Sequence, residues 1–261
     1  MKMITIDKNN IDCEHICCAI GNDKKNKNRA QSKKEWMKKR FDEGLVFKRS
    51  DERGKVFIEY MPIEKVWKPI RGKNFMVINC LWVSGKFKGK GAATALLNEC
   101  IKTAKTKKMD GVAVVTSAKV KPYLTDKNFY LKHGFELVDS AAPYFELLAL
   151  KFNKKGENPV FSDSVKNNCY PDKKGFTYIY SNQCPFMEEY AGLLAEISMR
   201  SEIPFNVKKL KSYEEAQETG SAFGTLGIYY NGEFITHELM SEKKFEKFIE
   251  KLKGVKKYEW I

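Results

Sequence analysis

The chain of 261 residues has no apolar run approaching the ~18 residues of a membrane-spanning helix, and its opening MKMITIDKNN lacks the hydrophobic centre of a signal peptide. Both absences lead us to expect a cytoplasmic protein with no membrane partner. Its 7 cysteines are odd in number and include the adjacent pair Cys17 and Cys18, which argues against a disulfide framework and for reduced thiols. Acidic residues are in the minority, 33 against 47 Lys and Arg, for a formal charge of +14. Such an excess admits nucleic acid, an anionic membrane surface or an anionic cofactor. The lysines are spread along the chain, however, as on a solvated surface. They are not interleaved with aromatics as a stacking platform requires, which disfavours nucleic acid. What the chain does have is 43% hydrophobic and 13% aromatic residues, enough at this length for two modest cores.

The pattern predicts a first strand at MITI (3–6) and a short helix over NNIDCEHICCAI (9–20). An amphipathic helix follows, capped by Ser32, carrying Trp36, Met37, Arg40 and Phe41 on one face and stopped by Gly44. LVFKRSD and KVFIEYMP form a hairpin, and NFMVINCLWVSG (74–85) is a central strand. Apolar residues recurring at Ala93, Leu96, Leu97, Cys100, Ile101 and Ala104 predict a helix over 91–107. A strand at DGVAVVTSA, a short helix closed by Gly134, and two strands in FELVDSAAPYFELLALKF complete a first domain, 1–153. Polar residues 154–174 read as a linker, and the pattern restarts over 175–261 as strand, helix, strand, helix, hairpin and helix, with Asn231-Gly232 as the hairpin turn.

Between the central strand and its helix lies KFKGKGAATALL (86–97), a lysine and glycine loop suited to anions. It fails the Walker spacing, because Lys90 is followed by Gly91 where a hydroxyl should stand. As a dinucleotide fingerprint it gives GxGxxT from Gly89 to Thr94, deep in the domain rather than at its start. LWVSGKFKGKGAATALL does resemble the [QR]xxGx[GA] loop of GNAT-type N-acetyltransferases, with Lys86 in the Gln or Arg position. FYLKHGF (129–135) matches that family's FYxxxGF pattern in the expected order.

The resemblance implies an α/β (α+β) GNAT acyl-CoA N-acyltransferase fold, with acetyl-CoA as co-substrate, no metal, and direct acetyl transfer to an amine acceptor that the sequence does not identify. Backbone groups of Lys88, Gly89, Lys90, Gly91, Ala92 and Ala93 would bind pyrophosphate, while Leu81, Trp82 and Val83 would pair with the pantetheine arm. Tyr130 would act as general acid toward the CoA sulfur. A general base is harder to place: residues 74–81 carry no acid, and Glu59 on the neighbouring strand is the nearest, with a solvent-facing orientation the simpler expectation.

Cys13, His15, Cys17 and Cys18 could be read as metal ligands, but adjacent helical cysteines diverge by ~100°, so inward packing of Ile16, Cys17 and Ile20 is favoured. The C-terminal half resembles the thioredoxin-like fold, with Cys184 at the position of its nucleophilic thiol, where a helix dipole favours thiolate. Met187 replaces the second cysteine and Gly224 falls where that fold carries a cis-proline, which argues against dithiol chemistry. EHICCAI, FIEYMPIEKVWKPI, the glycine loop and SNQCPF together resemble the YoaP family of GNAT acetyltransferases. The competing readings are a CoA-binding redox or thiol-sensing adaptor and a basic nucleic-acid-binding protein.

Overall fold

In the computed structural model, which describes residues 1–16, 18–167 and 173–255, alternating apolar segments build a seven-stranded sheet. Its strands are β1 (Met3–Ile6), β2 (Val46–Ser50), β3 (Val56–Pro62), β5 (Phe75–Val83), β6 (Gly111–Ser117), β7 (Glu136–Ala141) and β8 (Phe145–Lys151), with the short β4 (Ile70–Arg71) outside it. The order is β1-β2-β3-β5-β6-β8-β7, and only β5 and β6 run parallel. That pair joins Phe75–Ile78 to Gly111–Val114 and then stops, although both strands continue. Their continuations leave a wedge between residues 79–83 and 115–117. Against β3, the register slips where Glu59 faces Cys80 and Tyr60 faces Ile78, so Asn79 is the extra residue of a bulge.

Alternation along β5 sends its side chains to two layers. Met76, Ile78 and Leu81 pack under α2 (Ala92–Thr106), whose buried stripe of Leu96, Leu97, Cys100 and Ala104 matches the predicted period. Tyr130 of α3 (Lys127–Leu131) joins this layer. Phe75 and Val77 face the other way, into a core that contains α1 (Lys24–Arg40) and continues to Ile249 in the C-terminal half.

Helix α1 is capped nine residues before the expected Ser32, at Asp23, whose side chain accepts from the Asn26 amide at 3.0 Å. Its polar first half has no apolar period to announce it. It is held by ion pairs of Lys25 and Arg29 with Glu189, far along the chain. The helix expected over residues 9–20 is absent among the described residues, which form turns there. Asp7 accepts from the amides of Asn9 and Asn10, and the Asn10 side chain donates to the Thr5 carbonyl, local bonds that compete with helix formation.

The expected linker contains β9 (Val160–Phe161), paired to β4, and the single turn α4 (Asp163–Lys166). Phe161 is buried, so this stretch straps the halves together instead of floating between them. Beyond it come β10 (Phe176–Tyr180), α5 (Met187–Arg200), β11 (Phe205–Lys209), α6 (Tyr213–Gln217), β12 (Leu226–Tyr230), β13 (Glu233–Thr236) and α7 (Glu242–Val255). The four strands lie in the order β11-β10-β12-β13, with β10 parallel to β11 and the rest antiparallel.

The seam between the sheets is bonded as well as apolar. Buried Lys68 donates to the Phe223 carbonyl at 2.7 Å, and Gln217 donates to the carbonyls of Ile63 and Val66. His237 donates to Pro122 through Nε2 and accepts from the Tyr144 hydroxyl through Nδ1. Gly224, with φ +76°, lies so close to Trp67 and Lys68 that an added Cβ would meet the Trp67 carbonyl at 2.5 Å. Glycine is required here because the other half of the chain occupies the space that a side chain would fill.

Candidate active site

The predicted anion loop has the geometry its glycines suggest. Gly85, Gly89 and Gly91 all have positive φ, and a Cβ at any of them would meet no atom within 4 Å, so the loop faces open space. Gly91 caps α2 through its carbonyl, which accepts from Ala95 at 2.9 Å. Among the described residues, no amide from Gly89 to Thr94 donates to a protein acceptor outside the helix. These donors and the N-terminal end of a 15-residue helix converge on one place. Lys86 is not part of that convergence, since its ammonium pairs with Glu52 at 2.8 Å and lies over the Phe87 ring.

The loop is fixed to α3 by a residue the sequence reading did not single out. His133 donates from Nδ1 to the Phe129 carbonyl at 2.7 Å, which leaves Nε2 to accept from the Thr94 hydroxyl at 3.2 Å. Thr125, just before α3, donates to the Leu81 carbonyl at 3.2 Å. Together they hold Tyr130 against β5. The Tyr130 side chain is fully buried, and burial raises its pKa well above the ordinary phenol value while the nearby Thr125 hydroxyl pulls the other way. Among the described residues its hydroxyl has no hydrogen bond of good geometry. Leu81 is buried, Trp82 and Val83 less so, and their strand edge toward β6 belongs to the wedge.

Glu59 corrects its expected orientation: it is fully buried rather than solvent-facing. One carboxylate oxygen takes the Lys33 ammonium at 2.5 Å and the other accepts from the Gln183 amide at 2.9 Å. Lys33 also donates to the Gln183 carbonyl, and Thr225 donates to the Gln183 side-chain oxygen. This network, spanning residues up to 150 apart, bridges α1, β3 and the C-terminal half.

Over it lies a cavity of about 260 Å³ between the β5 bulge and the turn that carries Gln183 and Cys184. Cys184 precedes the first turn of α5, which starts at Met187, and lines this cavity with Cys18 and Cys80. Burial pushes the Cys80 thiol strongly up. Asn79 also lines it, and both of its amide atoms are buried without a hydrogen bond. A polar residue inside an otherwise apolar strand was the sequence signal for this position. Lys33 and Gln183 had no local signal.

The N-terminal cysteine cluster does not gather. Cys13 is exposed, Ile11 and Ile16 are buried, Ile20 is half-buried, and His15 lies 3.3 Å from the Gly54 carbonyl. Cys17 lies outside the described residues. Among the described residues no group of three or more His, Cys, Asp or Glu could hold a metal ion, and no helix is long and apolar enough to cross a membrane.

Two family models match the chain: Acetyltransferase (GNAT) family over residues 13–135, and YoaP-like over residues 204–247. The protein of Bacillus subtilis (strain 168) named uncharacterized N-acetyltransferase YoaP is 45% identical over 252 residues, which cover 97% of this chain and 100% of that protein. Similar solved structures include the PaiA N-acetyltransferase from Thermoplasma acidophilum in complex with coenzyme A (16% identity, 58% of this chain, 100% of that chain, TM-score 0.42). Another is a GNAT family acetyltransferase from Staphylococcus aureus Mu50 (14% identity, 58% of this chain, 99% of that chain, TM-score 0.41). The sheet, its glycine loop and the matching family model define an acyltransferase of the GNAT class. Within that class the chain belongs to the YoaP family of N-acetyltransferases.

Proposed function

We propose that the chain transfers an acetyl group from acetyl-CoA directly to the nitrogen of an amine. The observation that carries this reading is the convergence on one strand of three features: the unengaged amides of the glycine loop, the β5/β6 wedge, and the buried hydroxyl of Tyr130. Backbone amides from Gly89 to Ala93 take the pyrophosphate, the expected Lys88 amide being committed to the Gly85 carbonyl at 3.2 Å. The open edge at Leu81, Trp82 and Val83 takes the pantetheine amides. The neutral amine nitrogen attacks the thioester carbonyl to form the C–N bond, and the C–S bond breaks with its electron pair going to sulfur. Tyr130 supplies a proton to the departing sulfur, and the proton shed by nitrogen restores Tyr130 through solvent. Its raised pKa means that the hydroxyl rests protonated at neutral pH.

Glu59 has both oxygens committed to Lys33 and Gln183, and we assign it a positioning role rather than that of a base. Residues 1–153 form the acyltransferase unit, 154–174 the strap and 175–261 a thioredoxin-like unit; the strand order β11-β10-β12-β13 supports the last assignment. A cytoplasmic place of action suits the reduced cysteines.

Thermal unfolding with acetyl-CoA, CoA, ATP and NAD in parallel tests the reading. Stabilisation by the first two alone is expected. None from either would overturn it.

A further inference from the structure

The acetyl donor and the cavity described above lie on opposite faces of the same stretch of β5. Leu81 packs on the Tyr130 side, whereas Asn79, Cys80 and Trp82 line the cavity. The two meet at the bulge: Asn79 lines the cavity and also opens the stretch of β5 that has parted from β6. Three features of the cavity wall restrict what an acceptor there can be.

First, the wall is aromatic, with Phe57, Trp82 and Tyr123 from the N-terminal half facing Phe186 and Phe223 from the C-terminal half. Flat rings are the natural occupants of such a slot. Second, no Asp or Glu lines it among the described residues, while Lys33 and Lys55 do. Lys33 is already neutralised by Glu59, whose oxygens are both committed to Lys33 and Gln183. An alkylammonium ion would therefore enter beside Lys55 with no carboxylate free to pair with it, and burying an unpaired charge is strongly unfavourable. Third, Asn79 is a lining residue whose amide donor and acceptor are both buried and, among the described residues, without a hydrogen bond. A neutral amine N–H can donate to Asn79 Oδ1, which points the nitrogen lone pair away from the amide. The volume of about 260 Å³ falls just below the ~300–1,000 Å³ of drug-sized sites, which suits a single ring.

We propose that this cavity is the acceptor site and that it takes a small aromatic amine of low basicity, an arylamine, whose ring is gripped by side chains of the C-terminal half. The inference rests on the acyltransferase reading above. The arylamine arrives neutral, so no side-chain base is required. Its nitrogen forms the new C–N bond, the thioester C–S bond breaks with its electron pair going to sulfur, and the proton shed by nitrogen balances the one gained by the CoA thiol. The C-terminal half thus acts as the specificity wall of the acyltransferase, with Lys33, Glu59 and Gln183 holding its turn in place.

The test uses the full chain with acetyl-CoA and a matched pair of amines, 4-methoxyaniline and 4-methoxybenzylamine, with hexylamine as a third; the acetylated product is quantified by chromatography. The first two share a ring and differ in the charge of the amine at neutral pH. The expected kcat/KM for 4-methoxyaniline is at least a hundredfold above the other two. Phe186→Ala and Asn79→Leu should each lower it tenfold or more while calorimetric acetyl-CoA affinity stays within twofold. Phe186→Leu, which keeps more of the volume, serves if the alanine variant fails to fold.

Acetylation of the alkylamines instead, no acetylation of any amine by protein that binds acetyl-CoA, or arylamine turnover untouched by these variants would each overturn the proposal. If acetyl-CoA itself fails to bind, the acyltransferase reading falls. Binding of 4-methoxyaniline alone, measured by calorimetry on wild type and Phe186→Ala, then separates the two: binding lost in the variant supports the cavity, and no binding to wild type refutes it.

Discussion

The two faces of β5 are built by different means. On the α2 face the functional groups are mostly backbone amides, exposed by glycines within one contiguous loop. On the other face they are side chains contributed by α1, β3, β5 and the turn after β10, brought together across as many as 150 positions. A backbone site tolerates changes of side chain but not of conformation. A side-chain site has the opposite sensitivity, and substitutions on the two faces should therefore fail differently.

The largest effect is expected at the seam. Lys33→Met leaves the Glu59 carboxylate buried without its cation, which costs about 3–5 kcal/mol of unfolding free energy. Removing both charges in Lys33→Met/Glu59→Leu should recover most of that loss, because no uncompensated charge remains. Urea unfolding of the single and double variants measures it. A single variant as stable as wild type would mean that the network does not hold the side-chain face together.

Next comes Tyr130, the side chain proposed as proton donor on the α2 face. Tyr130→Phe should lower kcat by roughly 10²-fold, the lower end of what positioned proton transfer contributes, with acetyl-CoA affinity unchanged. Steady-state kinetics beside calorimetry separates the two quantities. Unaltered turnover would remove Tyr130 from the mechanism and leave that face wholly to the backbone.

The same contrast explains what could be read from the sequence. The glycine loop, α2 and the FYLKHGF turn are local, so period and spacing reveal them. Most strands are legible because each run of apolar residues is bounded by turn residues, whereas their order in the sheet has no such local signal. Asn79 was visible only as a polar residue in an apolar strand, without the bulge that gives it meaning. The first half of α1 was hidden because Glu189, far along the chain, holds it. Glu59 was expected to face solvent because alternation on a strand specifies two faces, not what covers the second. The cover is the C-terminal half, and its docking depends on contacts such as Gln217 with Ile63 that have no local signature.

A glycine at that seam should behave unlike the loop glycines. At Gly224 an added Cβ would press on the Trp67 carbonyl and lie 2.8 Å from the Lys68 Cα, in a backbone conformation with φ +76°. Gly224→Ala should cost on the order of 2 kcal/mol, or about 4–8 °C in Tm for a chain of this size. Calorimetric unfolding reads this directly. An unshifted Tm would show that the halves slide apart without penalty, and the cavity wall would then be less fixed than the bonds across it imply.

The smallest effect is expected from the lysine that occupies the family's Gln or Arg position. Lys86 and Glu52 are both well exposed, with side-chain exposures of 69% and 62%. An exposed pair of this kind contributes at most about 1 kcal/mol, screened further by salt. Lys86→Ala should therefore weaken acetyl-CoA binding by less than about fivefold, with little change in melting temperature. Backbone amides at the start of α2 supply the directed donors, and they do not depend on which side chain precedes them. Calorimetry at low and high ionic strength decides the point. A hundredfold loss that shrinks as salt is added would mean that side-chain charge builds the anion site, and the two faces of β5 would then be constructed alike.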